Sequence, residues 1–143
     1  MAAVVYLSRM CVLMTAYQVC VAIGALLLVG MAMLHILLIL GFPLGELVLG
    51  GQYRIIPGNL RYRNGIFALV FVAVSSLYLT RASILTFDIP VTFLNAVITV
   101  FLLFLVGASI FNFAITKSAK EKWIMGPLTI LIGLSGFIAV FLG

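Results

Sequence analysis

A chain of 143 residues with 66% hydrophobic and 8% charged side chains and a mean hydropathy of +1.40 excludes a water-soluble globule, because too few polar groups exist to cover a core. The formal charge of +5 does not point to nucleic acid, since the basic residues stand at the ends of apolar runs, the pattern that orients a membrane protein. The long apolar runs do not alternate and therefore predict membrane-spanning helices, which satisfy their own backbone hydrogen bonds in hydrocarbon.

Met1 to Met14 reads as an N-terminal lead with Arg9 ahead of the first uninterrupted apolar run, the alternative being a natural start at Met10 or Met14. A first spanning helix is predicted over about 15–40, with Ala16, Cys20 and Gly24 as a small-residue stripe for close helix contact. Cys11 and Cys20 would lie on opposite sides of that helix and roughly 13 Å apart along it, which excludes a disulfide between them. Gly41 and Pro43 mark the helix end.

A loop over 41–64 follows, rich in Gly and carrying Glu46, Arg54, Arg61 and Arg63 beside Tyr53 and Tyr62. Leu44 to Leu49 reads as a short amphipathic turn that Gly50-Gly51 breaks. The second helix is predicted over about 65–86, with Arg81 at its outer end. Asp88 and Pro90 read as the N-cap and first turn of a third helix over about 90–115, so the second connection is expected to be very short. The segment 116–122, with three lysines and Glu121, reads as a tight polar turn. A fourth helix is expected over about 123–142, anchored by Trp123, with Gly126, Thr129, Gly133 and Gly136 lined up on one face.

The fold class is therefore all-α: one membrane domain, a bundle of four spanning helices. Six of the eight Lys and Arg lie in the loops 41–64 and 116–122, against Arg9 and Arg81 on the other side. The basic loops are accordingly expected in the cytoplasm and both termini outside.

Few side chains carry chemistry. His35 is the single histidine, and with neither cysteine at its level a protein-built metal site is not supported; haem shared between subunits is the cofactor reading left open. Glu46 and Arg54 are spaced to form a clasp across the loop. The alternative for Glu46 is a proton-handling or ligand-anchoring carboxylate. Arg54, Arg61 and Arg63 form a basic surface suited to anionic lipid headgroups, at about 1 kcal/mol per residue. The amides Asn95 and Asn112 in the third helix are expected to bond across to neighbouring helices, with Asn112 also placed to line a polar pocket with His35 and Glu46. The Gly-Gly pair matches no phosphate-binding loop, and no cofactor is assigned.

Gly41-Phe-Pro-Leu-Gly45, Gly50-Gly51, Arg54-Ile-Ile-Pro57 and Leu60-Arg61 resemble the first loop of a group of small, uncharacterised bacterial four-helix membrane proteins. Asn112, Ser118, Glu121 and Pro127 resemble that group's Asn, Ser, Glu and Pro near its second basic turn. The chain departs from the group in having Leu44 and Leu49 where tryptophan is expected, and one extra residue between Asn112 and Ser118. The resemblance implies a bacterial cytoplasmic membrane and the same topology, and it supplies no activity. Small multidrug antiporters, fluoride channels, vitamin K epoxide reductase relatives and glutathione-using membrane enzymes each lack their hallmark residues here. The functional expectation is a non-enzymatic protein that binds a lipid or a membrane-protein partner through loop 41–65. The alternatives are an oligomeric small-solute transporter or channel, and an enzyme acting on a lipid-like substrate with His35, Glu46 and Arg54 at its site.

Overall fold

The computed structural model describes the backbone of residues 2–143 and the side chains from Met14 onward, so Arg9, Met10 and Cys11 lie outside the described side chains. Four helices, α1 (Ala2–Leu40), α2 (Arg61–Arg81), α3 (Val91–Ile110) and α4 (Gly126–Phe141), run up and down in an all-α bundle. Among the described residues the candidate spans are Met14–Leu40, Gly58–Arg81, Val91–Ile115 and Glu121–Phe141, all long and apolar enough to cross a bilayer. The chain is a multi-pass membrane protein. Its outer surface is apolar, with Leu26, Leu69, Leu103 and Leu134 fully exposed where lipid tails would cover them.

The core forms where one stripe from each helix converges: Val21, Ala25 and Leu28 of α1, Phe71, Val74 and Tyr78 of α2, Ile98, Phe101 and Leu105 of α3, Ile132 and Ala139 of α4. α1 is the central helix, packing along both α2 and α4, while α3 leans on α4 and touches α2 sparsely. Of the predicted small-residue stripes, Gly24 and Gly136 sit at close helix crossings, whereas Ala16 and Cys20 are exposed, so the first stripe does not run along a helix contact. A Cβ on Gly24 would overlap the Ser135 side chain, and one on Gly136 would overlap the Tyr78 ring. Without a hydrophobic drive between helices in lipid, polar side chains add cross-helix bonds. Ser75 Oγ donates to the Ala25 carbonyl at 3.0 Å, Ser135 Oγ to Cys20 at 3.0 Å and Tyr78 Oη to Ile132 at 3.3 Å. Asn95 bonds across as expected, accepting from Arg81 Nε at 3.0 Å.

Helix boundaries depart from the sequence reading in four places. The lead is helical, since α1 runs back to Ala2. α2 begins at Arg61 rather than near Gly65, and it stops at Arg81 rather than in the mid-80s. Ser83 adopts a left-handed φ of 57°, so its N–H reaches the Thr80 carbonyl and that of Ile84 reaches Leu79, the double bond that closes a helix C-terminus. Gly41 (φ 91°) closes α1 in the same way. The connection before α3 therefore takes up residues 82–90, and Asp88 does not cap α3, whose N-cap is Pro90 with no side-chain bond. Finally, α3 passes into a π turn at Phe111–Ile115 and a second π turn, Glu121–Met125, leads into α4, so the polar turn is only 116–118 wide.

Candidate functional site

At the end of the bundle that carries the basic loops, the buried stripes of three helices change from apolar to polar. On α1 the series Leu28, Ala32 continues to His35; on α2 the series Phe71, Ala68 continues back to Asn64; on α3 the series Ile98, Phe101, Leu105 continues to Asn112. His35 and Asn112 are each 6% exposed, Asn64 2% and Glu121 3%, so four polar side chains are sealed into one end of a hydrocarbon core. They line a common cavity of about 210 Å³.

Its walls are aromatic and aliphatic. The His35 ring lies 5.4 Å from Phe67 and 5.3 Å from Phe71, and Phe67 stacks on Phe104 at 6.2 Å, closing the gap between α2 and α3. Met31, Leu105 and Met125 form the floor towards the bundle centre. Asn112 reaches the cavity by ordinary helical spacing, seven residues after Leu105, and Glu121 opens the second of two π turns. Each π turn inserts an extra residue into the helical ladder, a device found often at functional sites.

The first loop forms the roof. It folds as three single-turn 3-10 helices, Gly45–Leu47, Leu49–Gly51 and Gly58–Leu60, the last leading into α2, and Leu47, Val48 and Leu49 line the cavity. Leu49, Gly50 and Gly51 follow one another with φ of 57°, 72° and 68°, so the Gly-Gly pair supplies a left-handed reversal rather than a phosphate cradle. The loop is tied to the 116–122 segment: Ser118 Oγ donates to the Glu46 carbonyl at 2.6 Å, and Lys120 Nζ donates to the Glu46 carboxylate.

The sequence-predicted residues separate accordingly. Glu46 pairs with Lys120 instead of Arg54, the clasp being between loops and not within one. Arg54 meets the loop through its carbonyl, which accepts the Gly45 N–H at 3.0 Å, and its side chain is exposed. Lys120 holds the Glu46 carboxyl below the usual carboxylate range, by hydrogen bond and by charge, with a smaller contribution from Arg54. Arg61 is occupied by structure, its Nε donating to Ile56 at 3.0 Å and its Nη1 to the Ile39 carbonyl left open in the last turn of α1 at 3.3 Å. Arg63 stands exposed at the cavity edge. His35 and Asn112 do share a pocket, but the carboxylate in it is Glu121, while Glu46 is on the outer side of the roof.

Two site residues escaped the sequence reading. Glu121 reads as part of a tight polar turn, yet it is buried; its Oε2 accepts from Thr116 Oγ1 at 2.6 Å and its N–H donates to Ser118 Oγ at 3.2 Å. The Ser118-x-x-Glu121 spacing is a helix-start signature, and it would have moved the start of the fourth helical segment back to include Glu121. Asn64 stands among arginines in the sequence, yet it continues the buried stripe Tyr78, Ser75, Phe71, Ala68 at helical spacing. Its Oδ1 is 2.9 Å from His35 Nδ1, and its Nδ2 is the one buried side-chain nitrogen or oxygen without a hydrogen-bond partner among the described residues.

Among the described residues no group of three or more His, Cys, Asp and Glu side chains comes together. Comparison with protein-family models, with curated proteins and with solved structures gives no match for this chain. What the arrangement offers chemically is a small compartment with hydrogen-bonding groups at one end and an aromatic wall leading to the α2–α3 seam.

Proposed function

We propose that this protein is a membrane-embedded binding protein that takes a small amphiphile into the cavity beneath loop 41–65, with the head among His35, Asn64, Asn112 and Glu121. One observation carries the reading: Asn64 lines that cavity, and its buried amide nitrogen, Nδ2, has no protein partner. Leaving such a donor unpaired costs about 1–3 kcal/mol, an expense that a bound acceptor removes. The sparse α2–α3 seam, closed by the Phe67 and Phe104 rings, supports entry from the bilayer. Aromatic walls with a few convergent polar groups are the usual composition of a ligand site.

In this reading the basic end faces the cytoplasm of a bacterial cell, both termini face out, and Arg54 and Arg63 sit at the level of anionic headgroups. A tag on either terminus should be accessible to protease added outside intact cells. Protection of that tag refutes the orientation.

Native mass spectrometry of protein extracted gently from its own membrane tests the function. The wild type should carry one retained amphiphile per chain, and Ala108→Met, which fills the cavity from α3, should lose it while keeping its helical content. A wild type that is bare under conditions where annular lipids survive refutes the proposal.

A further inference from the structure

Resting on that reading, we infer that the ligand head is neutral and hydroxylated, an alcohol or diol on an apolar chain of the monoacylglycerol type, recognised by the His35–Asn64 pair. The argument turns on hydrogen-bond parity. Asn64 Oδ1 and His35 Nδ1 are 2.9 Å apart, so one of the two atoms donates and the other accepts. With the amide oxygen as acceptor, Nδ1 carries the proton, which leaves Asn64 Nδ2–H as a free donor and His35 Nε2 as a free acceptor. With the amide turned over, Asn64 offers a free oxygen and His35 a free Nε2–H. Either way the pair leaves one donor and one acceptor without a protein partner beside the cavity that both residues line.

A hydroxyl, which both donates and accepts, completes either arrangement with a single group. A ketone, ester or ether only accepts, and an ammonium only donates, so each leaves one member of the pair unsatisfied in a buried site. Glu121 adds acceptor capacity, since its described hydrogen bonding uses Oε2 for Thr116. It opposes a phosphate or carboxylate head at this depth, and the exposed Arg63 at the rim does not reach it as an ion pair. The Asn112 amide, 6% exposed and without a hydrogen bond to the described side chains or backbone, is placed for a second hydroxyl.

Size and exit fit the same class. At about 210 Å³ the cavity is below the range of roughly 300–1,000 Å³ typical for sites that enclose a whole drug-sized ligand, so a compact head enters and the chain stays outside. The chain would leave past Phe104 of α3 and Phe111 of the π turn that follows it, which are 45% and 37% exposed.

The test uses the full chain in nanodiscs, with binding read by native mass spectrometry for four probes: 1-monooleoylglycerol, the same lipid with both hydroxyls methylated, oleoyl lysophosphatidate, and glycerol alone. One monooleoylglycerol per chain is expected, with the dimethyl ether and the lysophosphatidate each about tenfold weaker or more, as for loss of one buried hydrogen bond. Glycerol alone should not be retained; retention equal to that of monooleoylglycerol would overturn the lipid source in favour of a free polyol. In Asn64→Leu the preference over the dimethyl ether should vanish, whereas Glu46→Gln should keep it. Equal binding of monooleoylglycerol and its dimethyl ether by the unaltered protein overturns the hydroxyl assignment and leaves the amphiphile reading standing. Binding of no amphiphile overturns both. Because the ether comparison needs no variant, a poorly folded Asn64→Leu does not weaken it.

Discussion

Replacing His35 and Asn64 together by leucine should stabilise the lipid-free protein. In the wild type, the buried Asn64 Nδ2 has no partner, a cost of about 1–3 kcal/mol. The double variant removes this donor. It also removes both members of the 2.9 Å His35–Asn64 bond, and loss of a pair to apolar groups is close to neutral. Leucine adds roughly 0.5 kcal/mol of helix propensity over asparagine. The sum is a gain of about 1–3 kcal/mol, or roughly 3–10 °C in melting temperature at this chain length. Asn64→Leu alone strands His35 Nδ1 and should fall below the double variant by about 1–3 kcal/mol, so the two substitutions are strongly non-additive. Thermal unfolding of delipidated protein in detergent, followed by far-UV circular dichroism, reads the wild type, His35→Leu, Asn64→Leu and the double variant. A double variant that melts below the wild type, or single effects that simply add, would refute the claim that this pair is kept at the expense of stability.

Gly136→Ala should destabilise by about 1–3 kcal/mol because its Cβ meets the Tyr78 ring, while Gly107→Ala, with nothing within 4 Å, should be neutral or stabilising by up to about 1 kcal/mol; denaturant titration separates the two. Tyr78→Phe should cost about 1 kcal/mol through the bond to the Ile132 carbonyl, read in the same titration. Arg61→Ala should loosen the roof by about 1–3 kcal/mol, seen as faster hydrogen exchange over 41–60, whereas Arg54→Ala should stay within about 0.5 kcal/mol of wild type. Lys120 depresses the Glu46 pKa in the folded state, so the pair's contribution is full above the ordinary carboxyl value and is lost as pH falls through the depressed one. Wild type and Glu46→Gln should therefore differ in melting temperature at neutral pH and converge in acid. A difference that does not shrink as pH falls through the carboxyl range would refute the linkage.

The four spans and the gathering of basic residues at one end are legible in the sequence, as is the periodicity that places a core stripe on each helix. Each follows from a short-range rule: about 20 apolar residues cross hydrocarbon, and a stripe with helical spacing faces a neighbour. The same rule, carried one step further, leads to the site, since His35, Asn64 and Asn112 continue the buried stripes of three helices. The ends of helices were less legible. Gly41 announces a left-handed closure because glycine adopts it without strain, but Ser83 adopts one with no such signal.

Partnership, in contrast, is a matter of tertiary packing. Glu46 finds Lys120, 74 residues away, and not Arg54 in its own loop, because the loop reverses at Gly50-Gly51 and meets the start of the fourth helical segment. Glu121 looks like a surface charge in a lysine-rich turn, yet two π turns and the folded roof close over it. The unpaired Asn64 nitrogen is the clearest case. Sequence spacing can place an amide on a buried face, but whether its donor meets an acceptor depends on the positions of every atom around it, and those are set by the packing of all four helices.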